Sequence, residues 1–218
     1  MSAGEALETV ESDPAWAPRA LAEGLRVLSD EPVFQAIIDT AGAPRFRRRR
    51  NGFGTLLHII LEQQVSIDAA AAMYRRLAGL CETLTPESFL AHDDATLRAC
   101  GFSRQKAEYA RLLAMAVQSG VLDFARLEAA DDETAFADLR RMKGIGRWSA
   151  EMFLMFHLMR PDLLPLDDLG LRRAMEKQFN RGKPMDRKKM RKIGERWAPY
   201  RSVASWYLWR SLEPLATP

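Results

Sequence analysis

Two cysteines in a chain of 218 residues exclude most of what cysteine can build. Cys81 and Cys100 are too few for a disulfide scaffold or a four-thiolate cluster, and their apolar surroundings read as buried, inert positions. Histidine is nearly as scarce: His58, His92 and His157 fall at no ligand spacing, so no catalytic zinc is expected, and His58 sits on an apolar segment as a core or near-pocket residue. Long apolar runs are missing, since no window approaches the roughly 20 uninterrupted apolar residues of a membrane helix. The first residues, Met1-Ser2-Ala3-Gly4-Glu5, lack the basic-then-apolar order of a signal peptide. The reading is a cytoplasmic protein, nucleoid-associated if it binds DNA, with no membrane partner. Alternating strand patterns are absent as well.

Helix signals fill the chain instead. Apolar residues recur at helical spacing, or in mixed runs of helical length, over Leu21 to Leu28, Phe53 to Leu61, Ile67 to Leu80, Lys106 to Val117, the residues up to Leu139, Trp148 to Met159, Leu169 to Phe179 and Ser202 to Leu212. Ser66, Ser103 and Thr85-Pro86-Glu87 supply start signals. The fold class is therefore all-α. The first dozen residues and Pro214 to Pro218 read as frayed ends.

The net charge of +3 conceals a strong asymmetry. Residues 1–138 carry 14 Lys/Arg against 21 Asp/Glu and residues 139–218 carry 18 against 8, so the halves stand at −7 and +10. A basic half suits a polyanionic partner whose binding weakens steeply with salt. Arg45-Phe46-Arg47-Arg48-Arg49-Arg50 reads either as a solvated linker or as a second DNA contact, and Arg187-Lys188-Lys189 through Lys192 as one exposed helix face.

Within the basic half, Leu139-Arg140-Arg141-Met142-Lys143-Gly144-Ile145-Gly146-Arg147-Trp148 places a Gly-x-Gly turn between two helical patterns. Glycines let the backbone turn tightly and let a partner approach, and the second helix, starting near Arg147 or Trp148, presents free amides and the positive end of its dipole. A phosphate fits there without identifying any base. A plain helix–helix turn has the same tripeptide, so the residues around it decide.

Those residues are Lys143 to Ala150, Leu164-Pro165-Leu166-Asp167-Asp168-Leu169-Gly170, Leu61-Glu62-Gln63-Gln64-Val65-Ser66, and Glu195-Arg196-Trp197-Ala198-Pro199-Tyr200-Arg201-Ser202 continuing to Trp209. Together they resemble the helix-hairpin-helix DNA glycosylase superfamily, and within it the 3-methyladenine DNA glycosylase II family of alkylation repair. The likeness covers about residues 50 to 212. It implies one glycosylase unit over residues 1–218, two helical lobes with the active-site cleft between them, the hairpin at about 136–156 and the catalytic loop at about 164–170. It also implies a compact form without the N-terminal β-rich domain of bacterial relatives and, with two cysteines, without the iron–sulfur cluster some relatives carry.

By that resemblance Asp168 is the catalytic aspartate, its carboxylate stabilising the oxocarbenium-like sugar and positioning water. Asp167 reads as an N-cap or orienting neighbour, although Asp-Asp before an apolar run signals a helix start for either residue. Trp148 stands where bifunctional relatives hold the Schiff-base lysine, which implies a monofunctional enzyme that leaves an abasic site. Trp148 and Trp209 are then implied substrate-binding tryptophans that stack on a cationic purine. Trp206 and Tyr207 have weaker claims, and Met152 replaces an aromatic residue of the bacterial enzyme. Gln63 and Gln64 match the segment that fills the gap left by an extruded base, Gln64 at the inserting position. Lys143, Gly144, Ile145, Gly146 and Arg147 are the expected DNA contacts. Backbone carbonyls of Arg140, Met142 and Ile145 are the expected ligands of a monovalent cation, Na+ or K+, and no organic cofactor is required. The implied partner is double-stranded DNA with alkylated bases, bound by a monomer. Two other readings stay open: a non-catalytic DNA-binding module, and a glycosylase for uracil, mismatched thymine or adenine opposite oxidised guanine.

Overall fold

The structure, a computed structural model, describes residues 17–42, 48–49 and 51–212. The two expected frayed ends lie outside the described residues. Every element there is helical except an isolated bridge residue at Arg49. In chain order they are α1 Ala17–Ser29, α2 Pro32–Ala41, α3 Gly52–Glu62, α4 Ile67–Ala78, α5 Pro86–Leu90, α6 Asp94–Ala99, α7 Arg104–Gln118, α8 Phe124–Ala129, α9 Asp132–Arg140, α10 Arg147–Phe156, α11 Leu169–Phe179, α12 Arg187–Gly194 and α13 Arg201–Arg210. A 3-10 turn at Glu195–Trp197 precedes α13. No helix among the described residues is long and apolar enough to cross a membrane.

The expected start signals operate. Ser66 accepts from the Ala69 amide, Ser103 from that of Lys106, and Thr85 forms a reciprocal capping box with Ser88. Periodicity overlooked α2, α5, α6 and α8, although Thr85-Pro86 marked the start of α5, and α12 was read from its charges alone; α5, α6 and α8 are six residues or fewer and carry too few turns to show a stripe.

The described residues divide into two compact units. The first is continuous, from Arg48 to Leu158; the second joins residues 17–42 to 159–212. In the first, α3 is buried on all sides from Gly52 to Leu61, and α4, α7 and α10 pack around it. A helix apolar all round belongs at the centre of a core, and each fully buried Leu or Ile of α3 contributes about 2 kcal/mol. In the second unit α13 packs against α1, α2 and α11, with the Phe34 ring edge-on to Trp197 at 5.2 Å.

The basic run before α3 is described at two positions, and these are not part of a solvated linker. Arg45, Phe46, Arg47 and Arg50 lie outside the described residues, but Arg48 and Arg49 are knitted onto the C-terminal end of α10. Arg48 donates to the His157 carbonyl (3.0 Å) and pairs with Glu128, while the Arg49 amide donates to the Phe156 carbonyl (2.9 Å). The Arg48 guanidinium meets the negative end of the α10 dipole, and that of Arg49 lies 5.5 Å from the Phe156 ring centre, so these two serve the fold. The cysteine expectation holds for Cys100, which is buried. It fails for Cys81, which lies outside any helix, partly exposed, with Sγ 3.3 Å from His92 Nε2.

His58 is a core residue, 3% exposed. Its Nδ1 lies 3.3 Å from a Glu62 oxygen and from an Arg49 guanidinium nitrogen. Burial dominates, reinforced by Arg49, and holds the imidazole down at about 4, so the contact with Glu62 is one of a neutral ring. An unfolded chain protonates this histidine near 6.5. The stabilisation it provides is therefore complete above that pH and lost as the pH falls toward 4. Thermal melts should show stability dropping by on the order of 2 kcal/mol between neutral pH and pH ~4.5, with a shallower slope in His58→Gln.

Candidate active site

The residues singled out by sequence fall into two groups, one in each unit. In the second unit, the chain leaving α10 reaches a turn at Leu166-Asp167 and enters α11 through Asp168. Asp168 has extended backbone angles (φ −73°, ψ 125°), and its Oδ1 accepts the Leu171 amide at 2.6 Å. It is the N-cap. Asp167, expected as the cap or an orienting neighbour, does not cap, because the helix begins one residue too late for its carboxylate to reach the first turn; it pairs instead with Arg187 of α12. The remaining cations of that helix, Lys188, Lys189, Arg191 and Lys192, lie on an exposed face as expected.

A second donor reaches the same oxygen. Trp209, from the last turn of α13, donates its indole N–H to Asp168 Oδ1 at 2.8 Å. The carboxylate is thus fixed by one backbone and one side-chain donor, with helix α11's positive end behind it. Gly170 makes room: a Cβ there would lie 3.1 Å from Asp168 Oδ1 and 3.2 Å from Trp209 Cδ1. The loop before Asp168 is fastened to the start of α13, where Arg201 clasps Asp162 with two nitrogens, at 2.6 and 2.7 Å. Ser202 also accepts the Leu163 amide and donates to the Arg160 carbonyl. Tyr207 is a core residue, its hydroxyl donating to the Gly42 carbonyl at 3.0 Å, whereas Trp206 is partly exposed with the Arg210 guanidinium 5.6 Å from its ring centre.

In the first unit, α9 and α10 flank the Gly-x-Gly turn, and α10 begins at Arg147. Gly144 has φ +91°, and a Cβ on it would lie 2.5 Å from Tyr109 ring atoms. Gly146 is the N-cap of α10, without a side-chain cap and with open space around it. The first amides of α10 are therefore reached from outside without obstruction by a side chain at the cap. Ile145 between the glycines is buried. The flanking cations are held by carboxylates: Lys143 by Glu108, which raises its pKa, and Arg147 by Glu151 at 3.2 Å, its guanidinium also 5.1 Å from the Phe136 ring centre. The Lys143–Glu108 pair is exposed on both sides and therefore weak, whereas Arg147 reaches from the surface to a buried Glu151. Trp148 lies in the first turn of α10, partly exposed; Met152, one turn on, is 5% exposed.

The two glutamines part company. Gln63 caps the C-terminus of α3 and donates its side-chain amide to the Gly144 carbonyl (2.8 Å) and Ser149 Oγ (3.0 Å). Gln64 is exposed with φ +59°, a left-handed conformation that is uncommon outside glycine and concentrates at functional sites. Val65 and Ile67 beside it are exposed as well. The hairpin carbonyls belong to the turn: that of Met142 accepts the Ile145 amide at 3.0 Å. Among the described residues no group of His, Cys, Asp and Glu could hold a metal ion. Tyr109, Glu108, Glu151 and Gly170 were not singled out by sequence. Only Gly170, two residues from Asp168, carried a local signal.

Residues 57–199 match the HhH-GPD superfamily base excision DNA repair protein family. DNA-3-methyladenine glycosylase 1 of Schizosaccharomyces pombe is 32% identical over 171 residues, covering 77% of this chain and 75% of that one. Among solved structures, the S. pombe 3-methyladenine DNA glycosylase in complex with abasic DNA superposes with TM-score 0.83 at 30% identity, over 90% of this chain and 100% of that one. A DNA-3-methyladenine glycosidase of Bacillus halodurans gives TM-score 0.74 at 36% identity, over 93% and 91%. The all-helical architecture, the Gly-x-Gly hairpin and these matches agree, and the chain belongs to the HhH-GPD superfamily of base excision DNA repair proteins.

Proposed function

We propose that this protein excises alkylated purines, 3-methyladenine and 7-methylguanine foremost, from double-stranded DNA. It does so by hydrolysing the N-glycosidic bond, and leaves the strand uncut. The observation that carries the reading is the Asp168 carboxylate, held at one oxygen by both the Leu171 amide and the Trp209 indole. An alkylated purine is positively charged, and when the C1′–N bond breaks its electron pair neutralises the base. Positive charge then develops on the sugar, where a fixed carboxylate stabilises it. Water adds its oxygen to C1′ and gives up a proton, which Asp168 relays to solvent. The names of the relatives support the substrate class, and the tryptophan at 148, in place of a Schiff-base lysine, supports cleavage of the base alone.

The hairpin, through Lys143, the amides around Gly144, Ile145 and Gly146, and Arg147, grips phosphates. Trp148 and Trp209 bind the extruded base, Gln64 takes its place in the stack, and a monomer serves one lesion. A monovalent cation on the carbonyls of Arg140, Met142 and Ile145 suits the turn, because neutral carbonyl oxygens are the ligands of hard cations and the Met142 carbonyl keeps a second lone pair. Exchanging Na+ or K+ for a bulky organic cation at constant ionic strength should then weaken DNA binding. No other cofactor is needed.

The test is release of free methylated purine from alkylated duplex, with strand breaks appearing only after alkali. Base release with no enzymatic nick is expected; DNA binding with no release from any alkylated substrate would favour a binding module, the reading to which the capping role of Asp168 lends its one support. Gly170→Ala offers a finer probe. Alanine favours the helix by up to about 1 kcal/mol, but its Cβ crowds Asp168 and Trp209. Melting near native with purine release lowered about fivefold, equivalent to ~1 kcal/mol in the barrier, is expected.

A further inference from the structure

Adjacent glutamines at the end of α3 face opposite ways. Gln64 turns to solvent in a left-handed conformation, while Gln63 extends across 81 residues of sequence to the hairpin. Its amide nitrogen donates to one acceptor in the Gly-x-Gly turn and one in the helix that follows it, the Gly144 carbonyl and the buried Ser149 hydroxyl. At the Gly144 end φ is positive and the Tyr109 ring packs against the turn, filling the space a Cβ would take. The α3 end is also secured, because the Lys106 ammonium donates to the Leu61 carbonyl, where the helix dipole is negative.

From this geometry we infer that Gln63 is a positioning residue, a strut coupling the hairpin's hold on phosphates to the insertion of Gln64 into the base stack. The inference rests on the proposed role of Gln64. Gln63 occupies the hairpin's own acceptors, so its work is to transmit position and not to touch the base. A force on the Gln64 backbone loads Gln63 directly, and Gln63 can yield only by giving up hydrogen bonds to the turn. Glutamate could not substitute, since a carboxylate facing the Gly144 carbonyl would have no proton to donate.

The experiment is a double-mutant cycle on a duplex carrying a stable abasic analogue with 2-aminopurine beside it. Affinity and the rise in fluorescence on unstacking are read together. Gln63→Leu removes both hydrogen bonds at similar volume and should cost about tenfold in affinity, with most of the fluorescence rise lost. Gln64→Ala should lose the same signal, and the double variant should be no worse than the poorer single one. Additive losses, or a Gln63→Leu protein indistinguishable from native, would overturn the coupling. If Gln63→Leu does not fold, Ser149→Ala, which spares the Gly144 contact, replaces it in the same cycle with a smaller expected loss and the same criterion. Purine release by the native chain, measured alongside, separates failure of the strut from failure of the glycosylase reading, because the cycle uses an abasic duplex that needs no cleavage.

Discussion

Asp168→Asn is expected to abolish purine release while leaving the fold intact. Asparagine caps a helix about as well as aspartate, so its side-chain oxygen keeps the Leu171 amide and the Trp209 indole as partners, and melting should shift by no more than about 0.5 kcal/mol. What disappears is the negative charge. If that charge stabilises the developing cation on the sugar, release should fall about 10²- to 10³-fold with affinity for abasic duplex within a few-fold of native. Asp168→Ala is less informative, since it also removes the cap at a cost of ~1 kcal/mol and leaves the Trp209 indole without this acceptor. Equal release by native protein and Asp168→Asn would remove the residue from the mechanism.

Gly144→Ala should have the largest effect on stability. Two costs act together: an alanine held at φ +91° is strained by about 1–2 kcal/mol, and a Cβ 2.5 Å from the Tyr109 ring forces that side chain away at about 1–3 kcal/mol more. The turn must shift, carrying with it the Gly144 carbonyl that Gln63 holds. DNA affinity is expected to fall at least about tenfold, the loss of a few charge-assisted phosphate contacts. Adding Tyr109→Ala should restore part of the stability by relieving the overlap, but not the part due to φ. Gly146→Ala provides the contrast: with φ −82° and no atom within 4 Å it should fold normally, so any loss of affinity there reports the phosphate space itself.

Long or strongly patterned elements were legible in the sequence. Leu169 to Phe179 was delimited correctly because an Asp-Asp start and a helical stripe agreed, and the second hairpin helix begins where the Gly-x-Gly turn implied. Short helices such as α6 and α8 were not, since a six-residue segment shows less than two turns of period. At the site, Asp168 and Trp209 could be named separately, but not their shared hydrogen bond, which spans 41 residues and depends on how α13 meets the start of α11. The two glutamines were read in one segment, with Gln64 at the inserting position and no separate partner for Gln63. Their opposite directions follow from a left-handed backbone at Gln64 that no residue type at that position announces. Arg48 and Arg49 look like DNA ligands by composition, yet the acceptors that claim them, Glu128 and the last carbonyls of α10, lie some 80 to 110 residues downstream.

The second unit is made of two stretches of chain separated by the whole of the first. Glu31 meets the Trp197 indole 166 residues later, and Gly42 meets the Tyr207 hydroxyl 165 residues later. On a ribosome, α1 and α2 precede α13 by nearly the whole of the first unit and wait for it, and for the Phe179 and Trp197 rings that meet Phe34. The first unit draws on one continuous stretch and can close far sooner. A polypeptide released early would thus carry the Gly-x-Gly hairpin without the unit that holds Asp168.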